Sequence, residues 1–403
     1  MAMQVERTSD ETIFSWIDHV LRHDNAAAAF DQLADRFRSG KQYRELFEAR
    51  LMQTRLELGL PLVSAPGISD VPKELQQAYQ DGSVQAAREV GELLLADRNI
   101  PQAWPYFRAI GDTEPIKRAL ETFDVPANPD TPESQEALGS AIHIAFQEGL
   151  HPRKGFELIL KHYGLCRAIT MFGAYPQREG RNESLRLLVR SLHDQLVDSL
   201  KHAISDVEGA QPDSRSVPGL IEGRDWLFEN NAQHTDSSHI APVLALSAEL
   251  DDKETLRLAV DIADYASRLG PMFQYSDDPP FERVYEDRGI YLRALLGENA
   301  DVDRAIRHFG EKAAGSDPDQ VGTRPAEVLV GLLIRLARYD DAIKAFQRYL
   351  IDVDPEGLAC PSLLQLYQMA GDFEQLRQLA KQQSDPLSYM AAMIQGARAR
   401  GKG

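Results

Sequence analysis

Cysteine is scarce in this 403-residue chain, which has only Cys166 and Cys360, far apart and each in an apolar helical setting. Neither belongs to a CxxC spacing. That excludes a cysteine zinc site and a dithiol redox couple, and leaves both thiols as small buried hydrophobes of a reducing compartment. Long apolar runs are missing too: no stretch of about 18 apolar residues is present to span a bilayer. Met1–Glu11 lacks the charged-then-apolar pattern of a signal sequence. The expectation is a cytoplasmic protein with no membrane partner. Positive charge is in deficit, 44 Lys and Arg against 62 Asp and Glu, for a formal charge of −18. Such a surface repels nucleic-acid phosphates unless its basic groups are strongly clustered. The one basic cluster near an end, Arg398, Arg400 and Lys402, is short and reads as a solvated tail, so no nucleic-acid partner is expected. The chain also has no GxSxG, no Walker-type phosphate loop and no GxGxxG following a strand, the signatures of acyl, phosphoryl and dinucleotide chemistry.

What is present is helical patterning. With 43% hydrophobic and 26% charged residues the chain has the composition of a folded protein. Ile13, Ile17, Val20 and Leu21, then Phe30, Leu33, Ala34 and Phe37, recur at helical spacing on either side of a polar turn. Leu185, Leu188, Val189, Leu192, Leu196 and Leu200 form one long apolar stripe, with Arg186, Arg190, Asp194 and Asp198 outside it. Loops are expected at 59–72, at the proline-rich 125–132, and at 270–289, an aromatic and acidic stretch with Phe273, Tyr275, Phe281 and Tyr285. A cap at Ser237 or Ser238 predicts a helix from His239 to Leu250. The irregular stretch around 205–237 is long enough to divide the molecule. The expected organisation is an N-terminal helical region 1–206, a connecting segment 207–237 and a C-terminal repeat region 238–403.

An internal echo orders the C-terminal region. Tyr339, Asp340 and Ala342 stand 34 residues before Phe373, Glu374 and Leu376, and Leu329 and Leu333 stand 34 before Leu363 and Tyr367. Leu292, Leu296, Ala305 and Phe309 repeat the pattern upstream, and Val90, Gly91 and Leu94, followed by Ile100, Ala103 and Phe107, give a similar unit in the N-terminal half. This period, with a helix-turn-helix in each copy, resembles the tetratricopeptide repeat. Val330 departs from the pattern where the family usually has glycine, and Pro355 falls one place late. The resemblance implies an all-α fold, an α-solenoid of antiparallel helix pairs that curls into a superhelix.

The densest run of chemically capable residues is His143, Glu148, His151, Arg153, Lys154, His162 and Cys166. Two readings stand side by side. In one, His143, Glu148 and His151, completed by His239 at its helix N-terminus, hold a divalent metal such as zinc, iron or manganese with an open position for hydrolytic chemistry. In the other, the run is a repeat unit offset by one residue from 90–104: His143 fills a helix contact, Glu148 is solvated and His151 is a turn residue. Gly149 and Pro152 interrupt the helix that an Exx-His ligand pair requires. His162 and Cys166, four apart, would share one helical face as a base and nucleophile, with Lys161 and Arg167 nearby.

The resemblance implies a different use of the fold. First helices of successive pairs line a concave groove that takes a peptide or protein segment. Arg335 and Gln365 are the candidates for partner contact there, and the acidic charge favours a basic segment. No cofactor is expected on this reading. A scaffold and a metal-dependent hydrolase are therefore the two functions to separate.

Overall fold

The computed structural model describes residues 13–22, 25–63, 70–124, 131–175, 180–354 and 357–400, and among these no strand occurs. The expected linker at 125–132 lies largely outside the described residues, as do Met1–Glu11 and Pro355. The chain forms two compact units, one of residues 1–159 with 176–180, the other of residues 160–175 with 181–403.

In the first unit α1 (residues 13–22) is followed by α2 (Ala26–Ser39), α3 (Tyr43–Glu57), α4 (Gln76–Ala96), α5 (Ile100–Ile110), α6 (Glu114–Glu121) and α7 (Pro132–Ile142). A π-helical turn (His143–Gln147) leads to α8 (Pro152–Gly173), within which the division between the units falls. Helix boundaries follow local chemistry. Asn25 caps α2 by accepting from the Ala28 amide at 2.9 Å, and Asn99 caps α5 by accepting from Gln102. Pro101 sits in the first turn of α5, where an amide proton has no helical partner. Gly111, at φ 70°, ends that helix in the left-handed region.

Each helix from α2 to α6 packs on its neighbour in the chain. The α4–α5 contact depends on a missing side chain: a Cβ on Gly91 would lie 2.6 Å from the Phe107 ring. Ala103 and Phe107 are fully buried against it. Gly155 serves similarly, since a Cβ there would meet Phe146 at 2.7 Å. The small residues expected at these positions thus stand where helices touch.

A polar tie crosses the same stack. Glu89 of α4 accepts from Arg50 Nε of α3 at 2.9 Å and from Arg38 of α2. Arg50 also reaches Asp31 at 3.0 Å. Burial works against ionising Glu89, but the hydrogen bonds from Arg50 and Arg38 outweigh it and hold the carboxyl below its ordinary value.

The second unit runs through α9 (Arg181–Glu208), α10 (Val217–Ile221), α11 (Ser237–Ser247), α12 (Lys253–Ser267), α13 (Val284–Leu296), α14 (Asn299–Gly315), α15 (Pro318–Val321), α16 (Arg324–Arg335), α17 (Tyr339–Tyr349), α18 (Leu363–Ala370), α19 (Phe373–Gln382) and α20 (Pro386–Arg400). The predicted stripe of α9 is buried from Leu185 to Leu200, against α11 and α12. α17 and α19 begin at Tyr339 and Phe373, the two ends of the 34-residue echo. Ala305, Phe309, Leu329, Val330, Leu333, Ala342, Phe346 and Leu366 form one core there. Val330 is fully buried within it.

Three boundaries differ from expectation. The segment 207–237 lies inside the second unit, because Val217, Leu220, Ile221 and Leu227 are buried and α10 packs on α9 and α12. Asp236, rather than a serine, caps α11, accepting from the Ser238 amide at 2.9 Å. The aromatic loop is shorter than predicted, since Val284–Gly289 belongs to α13.

Two outcomes follow. Gly91→Ala lowers the unfolding free energy by about 1–3 kcal/mol through overpacking, whereas the same exchange at Gly139, with nothing within 4 Å, stabilises by about 0.5–1 kcal/mol through helix propensity; denaturant midpoints of the two variants compare them. A carboxyl depressed by folding stabilises above its unfolded value, near 4.5 for Glu89, and that contribution is lost as pH falls through the lower folded value. Wild-type stability therefore declines as pH drops below about 4.5, and Glu89→Gln, measured across an acid series of denaturation curves, declines less.

Candidate functional site

Glu148 gathers several side chains in the first unit, with partners the sequence did not single out. Trp104 and Arg108 project from successive turns of α5, and both reach one oxygen of Glu148, at 3.2 Å from the indole Nε1 and 3.1 Å from a guanidinium nitrogen. The Arg108 guanidinium also stands 5.9 Å from the Trp104 ring centre. His143 Nε2 is 3.4 Å from the other oxygen of Glu148, and its Nδ1 is 2.8 Å from Gln147. The π-helical turn at His143–Gln147 is what brings His143 and Glu148 together. Its amide ladder slips by one residue, with the Glu148 amide donating to the His143 carbonyl.

His151 leaves this cluster. Gly149 turns the chain at φ 73°, and the His151 ring reaches Glu121 on α6 at 3.4 Å. The Exx-His pair therefore does not lie on one helix face. His239 belongs to the second unit, in the first turn of α11, where its Nε2 is 3.8 Å from Asp236. Among the described residues no group of three or more His, Cys, Asp or Glu side chains could hold a metal ion. Within the first unit His143 and Glu148 come together, while His151 turns to Glu121. His143 is also not a helix-contact residue, since its side chain is 55% exposed.

The thiol readings change as well. Gly164 interrupts α8 with φ 75° and ψ 179°, so His162 and Cys166 do not share a continuous helical face. Cys166 is exposed, not buried. Cys360 is half-buried, and burial beside Glu327 pushes its thiol up to about 11, away from nucleophilic use. The partner-contact candidates are occupied by structure: Arg335 donates to the Leu250 carbonyl. Gln365 forms a capping box with Ser362, accepting from its amide at 2.8 Å.

The most enclosed polar constellation lies in the second unit and was not anticipated. Asp287 on α13 is wholly buried. It accepts from the Arg283 amide at 2.9 Å, is 2.8 Å from His308 Nε2 and is 2.9 Å from Lys312 Nζ. Lys312 also donates to the Pro280 carbonyl at 2.6 Å and to Glu282 at 2.5 Å. Around these groups Phe281, Tyr291 and Phe309 pack ring against ring. The Arg288 guanidinium lies 3.4 Å from the Phe281 ring centre, and burial brings it down to about 10. The one sequence signal was the His308–Lys312 spacing of four on α14, which aims both side chains in one direction. Nothing in the sequence pairs them with Asp287. These bonds fold the aromatic loop back on its own helices, burying Phe281 and leaving Tyr275 and Met272 exposed.

Compared with known proteins, the chain matches no family model, and no curated protein matches it.

A buried carboxylate with three partners is costly to disturb, because removing it leaves the Arg283 amide and His308 without their acceptor and Lys312 with Glu282 and the Pro280 carbonyl alone. Asp287→Ala is expected to lose about 3–5 kcal/mol of stability. Arg283→Ala, which keeps its amide donor, stays within about 0.5 kcal/mol of wild type; urea denaturation followed by circular dichroism distinguishes them.

Proposed function

We propose that the chain is a tetratricopeptide-like α-solenoid of antiparallel helix pairs that works as an intracellular scaffold, binding a protein or peptide along its helices. The observation that carries this reading is a pair of adjoining depressions on α4, of about 410 and 240 Å3, that share Gln85 and Glu89. Arg50, Gln53, Thr54, Glu57, Gly82 and Ala86 line the rest of the smaller one, and Arg88, Glu92 and Leu93 the rest of the larger. An open trough along a helix suits an extended segment better than a small molecule, whose sites enclose most of its surface. Glu89 is engaged by Arg50 and Arg38, and Arg88 by Asp112, so Glu57 and Glu92 set the sign of the trough's walls, and with a chain charge of −18 the complementary segment is basic. The 34-residue spacing of the α17 and α19 starts supports the repeat assignment. On this reading Arg335 and Gln365, on α16 and α18, would have to give up the Leu250 carbonyl and the Ser362 capping box to meet a partner.

A metal-dependent hydrolase is the competing reading, and the His143–Glu148 approach at 3.4 Å is what favours it. A photo-crosslinking residue at the exposed Gln85, used in cells, separates the two. Specific protein adducts that vanish in a Glu57→Lys, Glu92→Lys variant support the scaffold, while no adducts, or adducts unaffected by charge reversal, refute the trough. Near-stoichiometric metal in protein purified without chelators, lost in a folded His143→Ala, His151→Ala variant, would establish the hydrolase reading instead.

A further inference from the structure

Where the loop leaving α12 returns to the start of α13, it borders a cavity of about 370 Å3 in the second unit. Ser267, Gln274, Tyr275, Glu282, Arg283 and Glu286 are on its walls. The volume is that of a small-molecule site. Its walls are held from behind. Lys312 donates to Glu282 at 2.5 Å while it also holds the buried Asp287 at 2.9 Å. The Gln274 amide nitrogen donates to the Ala266 carbonyl at 3.1 Å and to the Leu269 carbonyl at 2.8 Å. Tyr275 meets Tyr285 ring edge to ring face, with centres 6.2 Å apart, and its hydroxyl is 3.3 Å from Ser237 Oγ.

The hydrogen-bonding capacity left on these walls is mostly of one kind. A glutamine side chain has two N–H donors and one carbonyl oxygen. Both donors of Gln274 are spent on the two backbone carbonyls, so the oxygen is what it offers a ligand. Ser267 spends its hydroxyl proton on the Ala263 carbonyl at 2.7 Å and keeps only acceptor capacity. Glu282 and Glu286 accept only. The Tyr275 and Ser276 hydroxyls can accept as readily as donate. Arg283 is the one cation on the lining, and it is turned to Glu286 at 2.6 Å, in a half-exposed pair that contributes little and exchanges easily. Glu282 shares Lys312 with Asp287. Three carboxylates, Glu282, Glu286 and Asp287, therefore stand against two full cations, Arg283 and Lys312, with His308 adding charge on Asp287 only when protonated.

We infer that this cavity binds a primary ammonium group, whose three N–H donors are matched by the Gln274 oxygen, Ser267 Oγ and the Glu286 carboxylate, and whose charge is drawn to the Tyr275 ring. An anion would meet two carboxylates with Arg283 alone to balance them. A neutral apolar molecule would strip water from those acceptors and supply no donor in return. A free alkylamine and the lysine side chain of a protein segment carry the same head on an aliphatic stem, so the chemistry is shared and the source is decided by experiment. The site lies in the second unit and does not rest on the scaffold reading of the trough on α4.

The test titrates the full chain by isothermal calorimetry with 1,4-diaminobutane, the free amine, and with Nα-acetyl-lysine amide, the side chain. Nα-acetyl-norleucine amide, without the charge, and hexanoate, with the opposite charge, are the controls. Saturable binding of at least one amine is expected, about tenfold or more tighter than either control. Tyr275→Ala, which removes the ring, and Glu286→Gln, which removes the charge and keeps the shape, should each weaken it about fivefold or more. Tyr275 is 41% and Glu286 42% exposed, so both variants should keep the wild-type circular dichroism and Tm. Glu92→Gln, on α4, should bind like wild type. Binding of the diamine alone supports the site and assigns it to a free amine, and binding of the lysine derivative supports it and assigns it to a protein side chain. Absence of saturable binding by both amines overturns the proposal, as does equal binding of the norleucine derivative or of hexanoate. So does undiminished binding in the two cavity variants, or loss of binding in Glu92→Gln, which would place the amine on α4.

Discussion

The close approach of consecutive helices is the constraint on which the rest of the structure depends. Two helices in contact stand 8–10 Å apart, and the lower end of that range requires a residue without bulk at the crossing. Gly91 against Phe107 meets that requirement between α4 and α5, Gly155 against Phe146 meets it where α8 meets the π-helical turn, and Gly82 against Thr54 meets it between α3 and α4. In the second unit Ala305 and Ala342 take the same part, wholly buried beside Phe309 and Phe346. Large and small residues alternate across each contact, and the aromatic rings fill the room the small residues leave.

Polar residues hold this apolar frame in register. Glu89 joins three helices through two arginines, and Asp287 joins α13, α14 and the loop between α12 and α13 through a histidine, a lysine and an amide. Glu148 gathers Trp104, Arg108 and His143 around the π-helical turn. In each case a carboxylate on one element accepts from donors on others, so the geometry of several helices is settled at one point. A carboxylate so engaged orients its neighbours and has little capacity left for a reaction. The Glu148 cluster, chemically the most suggestive run in the sequence, is also a joint between α5 and the π-helical turn.

The exposed faces differ in chemistry. The depressions on α4 are open and mix glutamates and arginines with Leu93 and Ala86, whereas the outer face of α20 exposes Leu387, Met390, Met393 and Ile394.

The sequence by itself determined the helices and their buried stripes, because those depend on residues a few positions apart. The period of α9, the small residue at 91 and the 34-residue step between Tyr339 and Phe373 could all be seen there. It also showed that Gly149 and Pro152 would break an Exx-His helix. What it did not contain was the pairing of side chains from elements distant in the chain. Only the tertiary structure placed Trp104 and Arg108 on Glu148, turned His151 to Glu121, buried Asp287 between His308 and Lys312, and drew 207–237 into the second unit. Local periodicity is written in neighbouring residues, whereas a hydrogen bond across helices depends on crossing geometry and rotamers, which no short window of sequence encodes.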